Sequence, residues 1–173
     1  MAELPRRFQI GPLPEKYNRP YLARDRNGVD TYELRLSTLA CSCADFRDNR
    51  AGFPETDPRR VCAHLYDKLY STKVEREFDP VVQLFIRYGR NMLTLRVVDE
   101  PDCVLVIGQP FDARTIRAIG AIGGSLGSQL LATYNARSAE WADGDTRLNP
   151  ETASRVLAEM RKAFPDAFSN SAA

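Results

Sequence analysis

Histidine is almost missing from this chain: His64 is the only one among 173 residues. Once that imidazole is taken up in another role, none remains for a Ser-His-Asp triad or a Cys-His pair, so His-dependent hydrolases are excluded. No run of about 18 apolar residues occurs, which excludes a hydrophobic transmembrane helix. The first residues, Met1-Ala-Glu-Leu-Pro-Arg-Arg-Phe, carry neither an apolar stretch nor a small-residue cleavage site and do not read as a secretory signal. The expected compartment is the cytoplasm, or the nucleus in a eukaryote, where thiols stay reduced. Lysine is scarce too, supplying four of the 24 basic residues. Arginine suits bidentate contacts with phosphate or carboxylate. The net charge of +1, however, lacks the basic excess usual in a nucleic-acid binder. Residues 1–76 hold 14 basic and 11 acidic side chains, and residues 77–173 hold 10 and 12, a mild asymmetry toward a basic first half. With 43% apolar and 27% charged residues, and no internal repeat, the chain reads as an ordinary globular protein.

Turn signals divide the chain. Residues 1–20 contain Pro5, Pro12, Pro14 and Pro20 among few apolar neighbours and read as an extended, partly mobile lead-in. Asn27-Gly28 lies between strand-like runs at 21–26 and 29–37, a strong hairpin signal because both turn positions tolerate positive φ. In the second run Tyr32, Leu34 and Leu36 alternate with Glu33 and Arg35, so one face is buried. Val61, Leu65 and Leu69 recur at helical spacing, which predicts an amphipathic helix to about Tyr70. Asp79-Pro80 marks a boundary. Beyond it, residues 81–88 and 92–98 read as strands flanking a hairpin turn at Gly89-Arg90-Asn91, and residues 103–107 as a short buried strand. Residues 111–134 read as a helix packed closely around Gly120, Gly123, Gly124 and Gly127. A polar loop containing Trp141 spans 135–148. Asn149-Pro150-Glu151 opens a last helix to about Phe164, before Pro165, and the final residues read as frayed. The expected fold class is α+β. A lead-in (1–20) precedes a zinc-bound β-hairpin plus helix module (21–76), followed by a small antiparallel sheet with C-terminal helices (77–173).

Three of the four cysteines and the single histidine form one pattern: Cys41-x-Cys43, 18 intervening residues, then Cys62-x-His64. Structural zinc takes four ligands in a tetrahedron, commonly thiolates and imidazole, and two close pairs joined by a loop supply them with little strain. Residues i and i+2 point about 200° apart on a helix. Cys62 is therefore expected in the turn entering the helix, with His64 in its first turn, and Asp57-Pro58 in a short turn of its own. A helix N-terminus also favours a thiolate. The alternatives are buried thiols beside a core histidine, or a disulfide, which needs an oxidising compartment. Four protein ligands leave no open coordination position, so the zinc is expected to be structural rather than catalytic.

The sequences Cys41-Ser-Cys43-Ala-Asp-Phe46 and Cys62-Ala-His64-Leu65, preceded by the Asn27-Gly28 hairpin, resemble the SWIM-type zinc finger over residues 21–70. That family has two short strands, Cys-x-Cys, a variable spacer, and Cys-x-His opening a helix. The resemblance implies one zinc held by Cys41, Cys43, Cys62 and His64, and a module that binds DNA or protein. Such fingers occur in transposase-like proteins, partners of chromatin-remodelling ATPases, recombination factors and ubiquitin ligases. Members often carry a basic residue between the last two ligands, where this chain has Ala63. Residues 77–173 resemble no family.

Arg47, Arg50, Arg59 and Arg60 lie between the ligand pairs, and Lys68 lies on the following helix. They read either as phosphate contacts or as a solvated loop balanced by Asp45, Asp48, Glu55 and Asp57. Phe46 and Phe53 are expected to pack over the zinc. The segment from Gly120 to Gly127 lacks the Lys-Ser/Thr ending of a phosphate-binding loop. Cys103 reads as a buried core thiol. Glu100 and Asp102 flank Pro101 in a turn and make a poor candidate for paired-carboxylate catalysis. Trp141 reads either as a partner anchor or as a cap on the core. The function expected is a non-enzymatic, zinc-stabilised adaptor contacting DNA or a protein of a DNA-processing assembly. The alternative is a regulatory or inhibitory subunit working through protein contacts alone. Neither a membrane partner nor a small-molecule substrate is expected.

Overall fold

The Asn27-Gly28 signal folds into a hairpin, but through a wider turn than two residues. The Asp25 carbonyl accepts the Gly28 N–H, the Asp25 carboxylate accepts the Val29 N–H at 2.8 Å, and Gly28 takes a φ of 70°. A computed structural model of the chain describes residues 3–110, 114–142 and 148–169. These form two compact units, one of residues 6–90 and one of the described residues from 91 onward together with 3–5.

In the first unit β1 (Pro20–Arg24) pairs antiparallel with β2 (Thr31–Arg35), Tyr21 standing opposite Leu34. On the other side of β2, the short β3 (Ala40–Cys41) brings Cys41 opposite Leu34. The helix over the second half of the motif, α1 (Ala63–Ser71), buries Leu65 and Leu69. Leu34, Leu36, Val61, Leu65, Leu69, Val82 and Ile86 share one core with the three motif cysteines.

Two expectations in this unit are corrected. Residues 81–88 form a helix, α2 (Pro80–Tyr88), not a strand, so no hairpin turns at 89–91. Val81, Val82, Phe85 and Ile86 are buried, a helical stripe, and the Asp79 side chain caps the Val81 N–H ahead of Pro80. A short apolar run alone does not separate a buried strand from a buried helix. The lead-in is also not extended throughout. It forms single turns at Arg6–Phe8 and Glu15–Tyr17. Phe8 is fully buried against Phe85, with ring centroids 6.0 Å apart. Ile10 is buried and its N–H donates to the Thr56 carbonyl at 2.7 Å.

The second unit is an antiparallel meander in chain order: β4 (Leu95–Glu100), β5 (Cys103–Gly108), β6 (Thr115–Ile122), β7 (Ser128–Asn135) and β8 (Glu140–Trp141). The helix expected over 111–134 is corrected to β6 and β7. Most of β6 is buried, which erases the period-two alternation that would have marked it. Gly123, at φ 104°, belongs to the turn between them. The expected helix start at 111–113, residues 143–147 of the polar loop and the frayed end at 170–173 lie outside the described residues. Asn149 caps α3 (Pro150–Ala163) by accepting the Thr152 N–H, and Pro165 opens a short α4 (Pro165–Ser169). Val156 and Met160 of α3 pack with Leu105, Ile107, Ile116 and Leu130 of the sheet. Each such burial contributes about 1.5–3 kcal/mol. Trp141 sits 4.9 Å from Tyr134, ring to ring, as a cap on this core. No described helix is long and apolar enough to cross a membrane.

Gly120 lies where β6 passes Leu105 of β5, and a Cβ there would collide with the Val104 carbonyl oxygen. Gly120→Ala is therefore expected to destabilise this unit by about 2–3 kcal/mol or more. Gly124→Ala, with nothing within 4 Å, should stay near wild type. Amide exchange in β5 and β6 checks both, and equal protection in the two variants would contradict the close approach.

Candidate metal centre

Cys41 and Cys43 share a face because Ser42 is held on the opposite one. The Ser42 N–H donates to the Glu33 carbonyl, and the Ser42 hydroxyl accepts the Glu33 N–H, each at 3.0 Å. Side chains two apart on extended backbone point the same way. After Cys43 the chain bends into a π-helical turn, Phe46–Arg50. The N–H groups of Cys43 and Phe46 point at the sulfurs of Cys41 and Cys43, each at 3.4 Å. On the second side, a 3-10 turn at Pro58–Arg60, capped by Asp57, precedes Cys62. Cys62 keeps extended angles (φ −75°, ψ 176°) as the N-cap of α1, which puts His64 in the first helical turn.

The four side chains converge. The sulfurs of Cys41, Cys43 and Cys62 and a ring nitrogen of His64 all lie within 4.8 Å of one another, and Cys41 Sγ stands 3.9 Å from His64 Nδ1. Zinc with Zn–S near 2.3 Å and Zn–N near 2.0 Å sets its ligand atoms roughly 3.5–3.8 Å apart, so small side-chain adjustments close the tetrahedron. The three cysteines are buried and His64 is half-buried beneath the Tyr32 ring, at 4.4 Å between centroids. The Cys62 thiol is drawn down to about 6, first by the hydrogen bond from Cys41, against the effect of burial. The N–H groups of Leu65 and His64 at the start of α1 act in the same direction. Cys41 is pushed up by that same hydrogen bond and by burial, and Cys43 mainly by burial. The site thus offers three sulfur donors and one imidazole, a donor set suited to Zn²⁺ and filled to four by protein atoms. The structure leaves the three thiols unbridged.

The structure does not gather the five basic residues into one surface. Arg50, Arg59 and Arg60 are buried. Arg50 pairs with Asp45 at 2.7 Å and donates to the carbonyls of Arg59 and Arg90. Arg59 pairs with Asp57 at 2.6 Å and lies 4.3 Å over the Phe53 ring. Arg60 donates to the Ala51 and Phe53 carbonyls and lies over Phe46. The loop is therefore not solvated at these positions. The arginines clamp its backbone from within. Arg47 is exposed beside Asp48, and Lys68 lies 5.7 Å over Tyr21. Phe46 joins the core that holds the thiols, and Phe53 is buried under Arg59. Cys103 is buried in the second unit, whereas the motif belongs to the first. Glu100 and Asp102 both bind Arg155 of α3, at 3.0 Å each, which holds the Asp102 carboxyl below its usual range.

Ser42 and Tyr32 were not among the residues singled out from sequence. The alternation Tyr32, Leu34, Leu36 placed Tyr32 on a buried face, and the structure sets that face against His64. Nothing local marked Ser42, whose role depends on pairing with β2.

Comparison of the chain with protein-family models gave no match, and neither did comparison with curated proteins or with solved structures.

Proposed function

We propose that Cys41, Cys43, Cys62 and His64 bind one structural zinc ion in a SWIM-type finger, and that the unit it closes is a non-enzymatic binding module. The observation that carries this reading is the convergence of two sequence-distant pairs, each aimed by its own backbone device, on one buried point. Bound there, the ion supplies cross-linking of β3 to the start of α1. The chain's own residues set the geometry: Ser42 fixes the first pair, and the N-cap position of Cys62 fixes the second. Four protein donors leave no position for a reacting water, which supports a structural role.

Protein is the favoured partner, because Arg50, Arg59 and Arg60 face inward and the net charge is only +1. DNA is the second reading, supported by the exposed Arg24, Arg26 and Arg35 of the hairpin. Elemental analysis of purified protein should give one zinc per chain, and cobalt substitution should give the visible bands of a tetrahedral thiolate complex. Zinc well below one per chain, or an octahedral cobalt spectrum, would reject the site. For the partner, a DNA complex should weaken steeply with salt, whereas the protein-binding reading expects no such complex.

A further inference from the structure

We infer that the free edge of β1 docks an extended, acidic segment of a partner protein by strand addition, with an aliphatic side chain of that segment seated on Leu22. This deepens the reading of the first unit as a binding module and rests on it.

β1 ends the strand order β1-β2-β3, so among the described residues one of its long edges faces no other strand. Such an edge presents unpaired N–H and C=O groups to an incoming strand. Along β1, Tyr21 and Ala23 turn toward the core, while Pro20, Leu22 and Arg24 face solvent. Leu22 is 66% exposed and stands opposite Glu33. Val29, at the hairpin turn, is 78% exposed. Neither aliphatic packs on the core.

The charges around Leu22 select the partner. The acids nearby are engaged: Asp25 holds the turn N–H groups, Asp30 accepts the Tyr32 hydroxyl, and Glu33 pairs with Arg35 at 3.4 Å. Arg24 and Arg26 have no carboxylate partner among the described residues, and Arg19 lies over the Tyr21 ring at 5.0 Å. Over residues 19–35 four arginines outnumber Asp25, Asp30 and Glu33 by one, and Arg24 shares the exposed face of β1 with Leu22, so the complementary strand is acidic. A nucleic acid would find aliphatic Leu22 and Val29 where single-strand binders present aromatic platforms. Tyr21 and Ala23 turn their backbone groups to β2 and Pro20 donates no N–H, which leaves the N–H groups of Leu22 and Arg24 as the template. The edge is tied to the metal through β2, whose Leu34 faces Cys41.

Selection of a random-peptide display library on the zinc-loaded full chain tests this. Winning peptides should alternate Asp or Glu with Val, Ile or Leu. A synthetic winner should protect the amides of Leu22 and Arg24 from exchange, and Leu22→Asp and Arg24→Glu should each weaken it about tenfold or more. No enrichment, basic winners, full affinity in Leu22→Asp, or displacement of the peptide by a DNA oligonucleotide from the same amides would each overturn the proposal. Zinc content is measured in every sample. Zinc-loaded protein without peptide binding removes the docking edge alone, and peptide binding by zinc-free protein removes the zinc reading alone.

Discussion

Stripping the metal with a strong chelator, or replacing Cys62 with serine, is expected to unfold residues 6–90. The three motif sulfurs belong to the same core as Leu34, Leu36, Val61 and Leu65, and Cys62 is fully buried at its centre. Without a metal, burial penalises the thiolate form, and serine replaces a strong ligand with a weak one that must bury a hydroxyl. Zinc binding in comparable small modules is worth about 10 kcal/mol or more, as much as the whole stability of many domains. Acid should have the same effect, because thiolates and imidazole must be deprotonated to bind, so affinity falls as pH falls. Far-ultraviolet circular dichroism and amide exchange over α1 and β2 report the outcome. Unchanged α1 protection in metal-free protein would show that the core stands without the ion.

Replacing Arg59 with alanine should cost about 3–5 kcal/mol, the usual penalty for leaving one partner of a buried pair uncompensated. Arg59 is 2% exposed and Asp57 3%. The Asp57 carboxylate accepts from the Arg59 backbone N–H at 2.8 Å and from its guanidinium at 2.6 to 3.1 Å. Removing the guanidinium strands that carboxylate in the interior and uncovers Phe53. Arg59→Lys should recover less than half of the loss, because an ammonium neither forks nor stacks like a guanidinium. Arg47→Ala, at an exposed pair, should change stability by about 0.5 kcal/mol or less. Urea unfolding at fixed free zinc measures all three, and an Arg59→Ala midpoint matching that of Arg47→Ala would refute the internal role.

The metal motif was legible because its chemistry is local. Two close ligand pairs and the 200° argument place Cys62 outside the helix, where the structure has it as the N-cap of α1. Hairpin β1–β2 and helix α3 were legible for the same reason, through Asn27-Gly28, the Leu34–Leu36 alternation and the Asn149-Pro150 cap. The failures came where burial on every side removed periodicity. β6 carried no alternation, so its glycines read as helix packing, although Gly120 answers to a carbonyl on the neighbouring strand. For α2 the cap at Asp79-Pro80 was visible but was read as a boundary. The spacer arginines were misjudged because charge in a loop suggests water. Arg50 and Arg60 bond backbone carbonyls, which any sequence has and no sequence advertises, whereas the Asp57 that holds Arg59 lies in plain sight two residues away.

Phe8 and Ile10 lie outside the metal motif, yet they are part of the unit it closes. Their consequence concerns where the chain can be cut. A fragment of residues 21–90, trimmed only of what precedes the motif, would keep all four ligands. It would still expose the surfaces of Phe85 and of the Thr56 strand of loop that the first ten residues cover. Aggregation of such an excised piece would reflect a missing wall, not a missing metal, and any dissection should start upstream of Phe8.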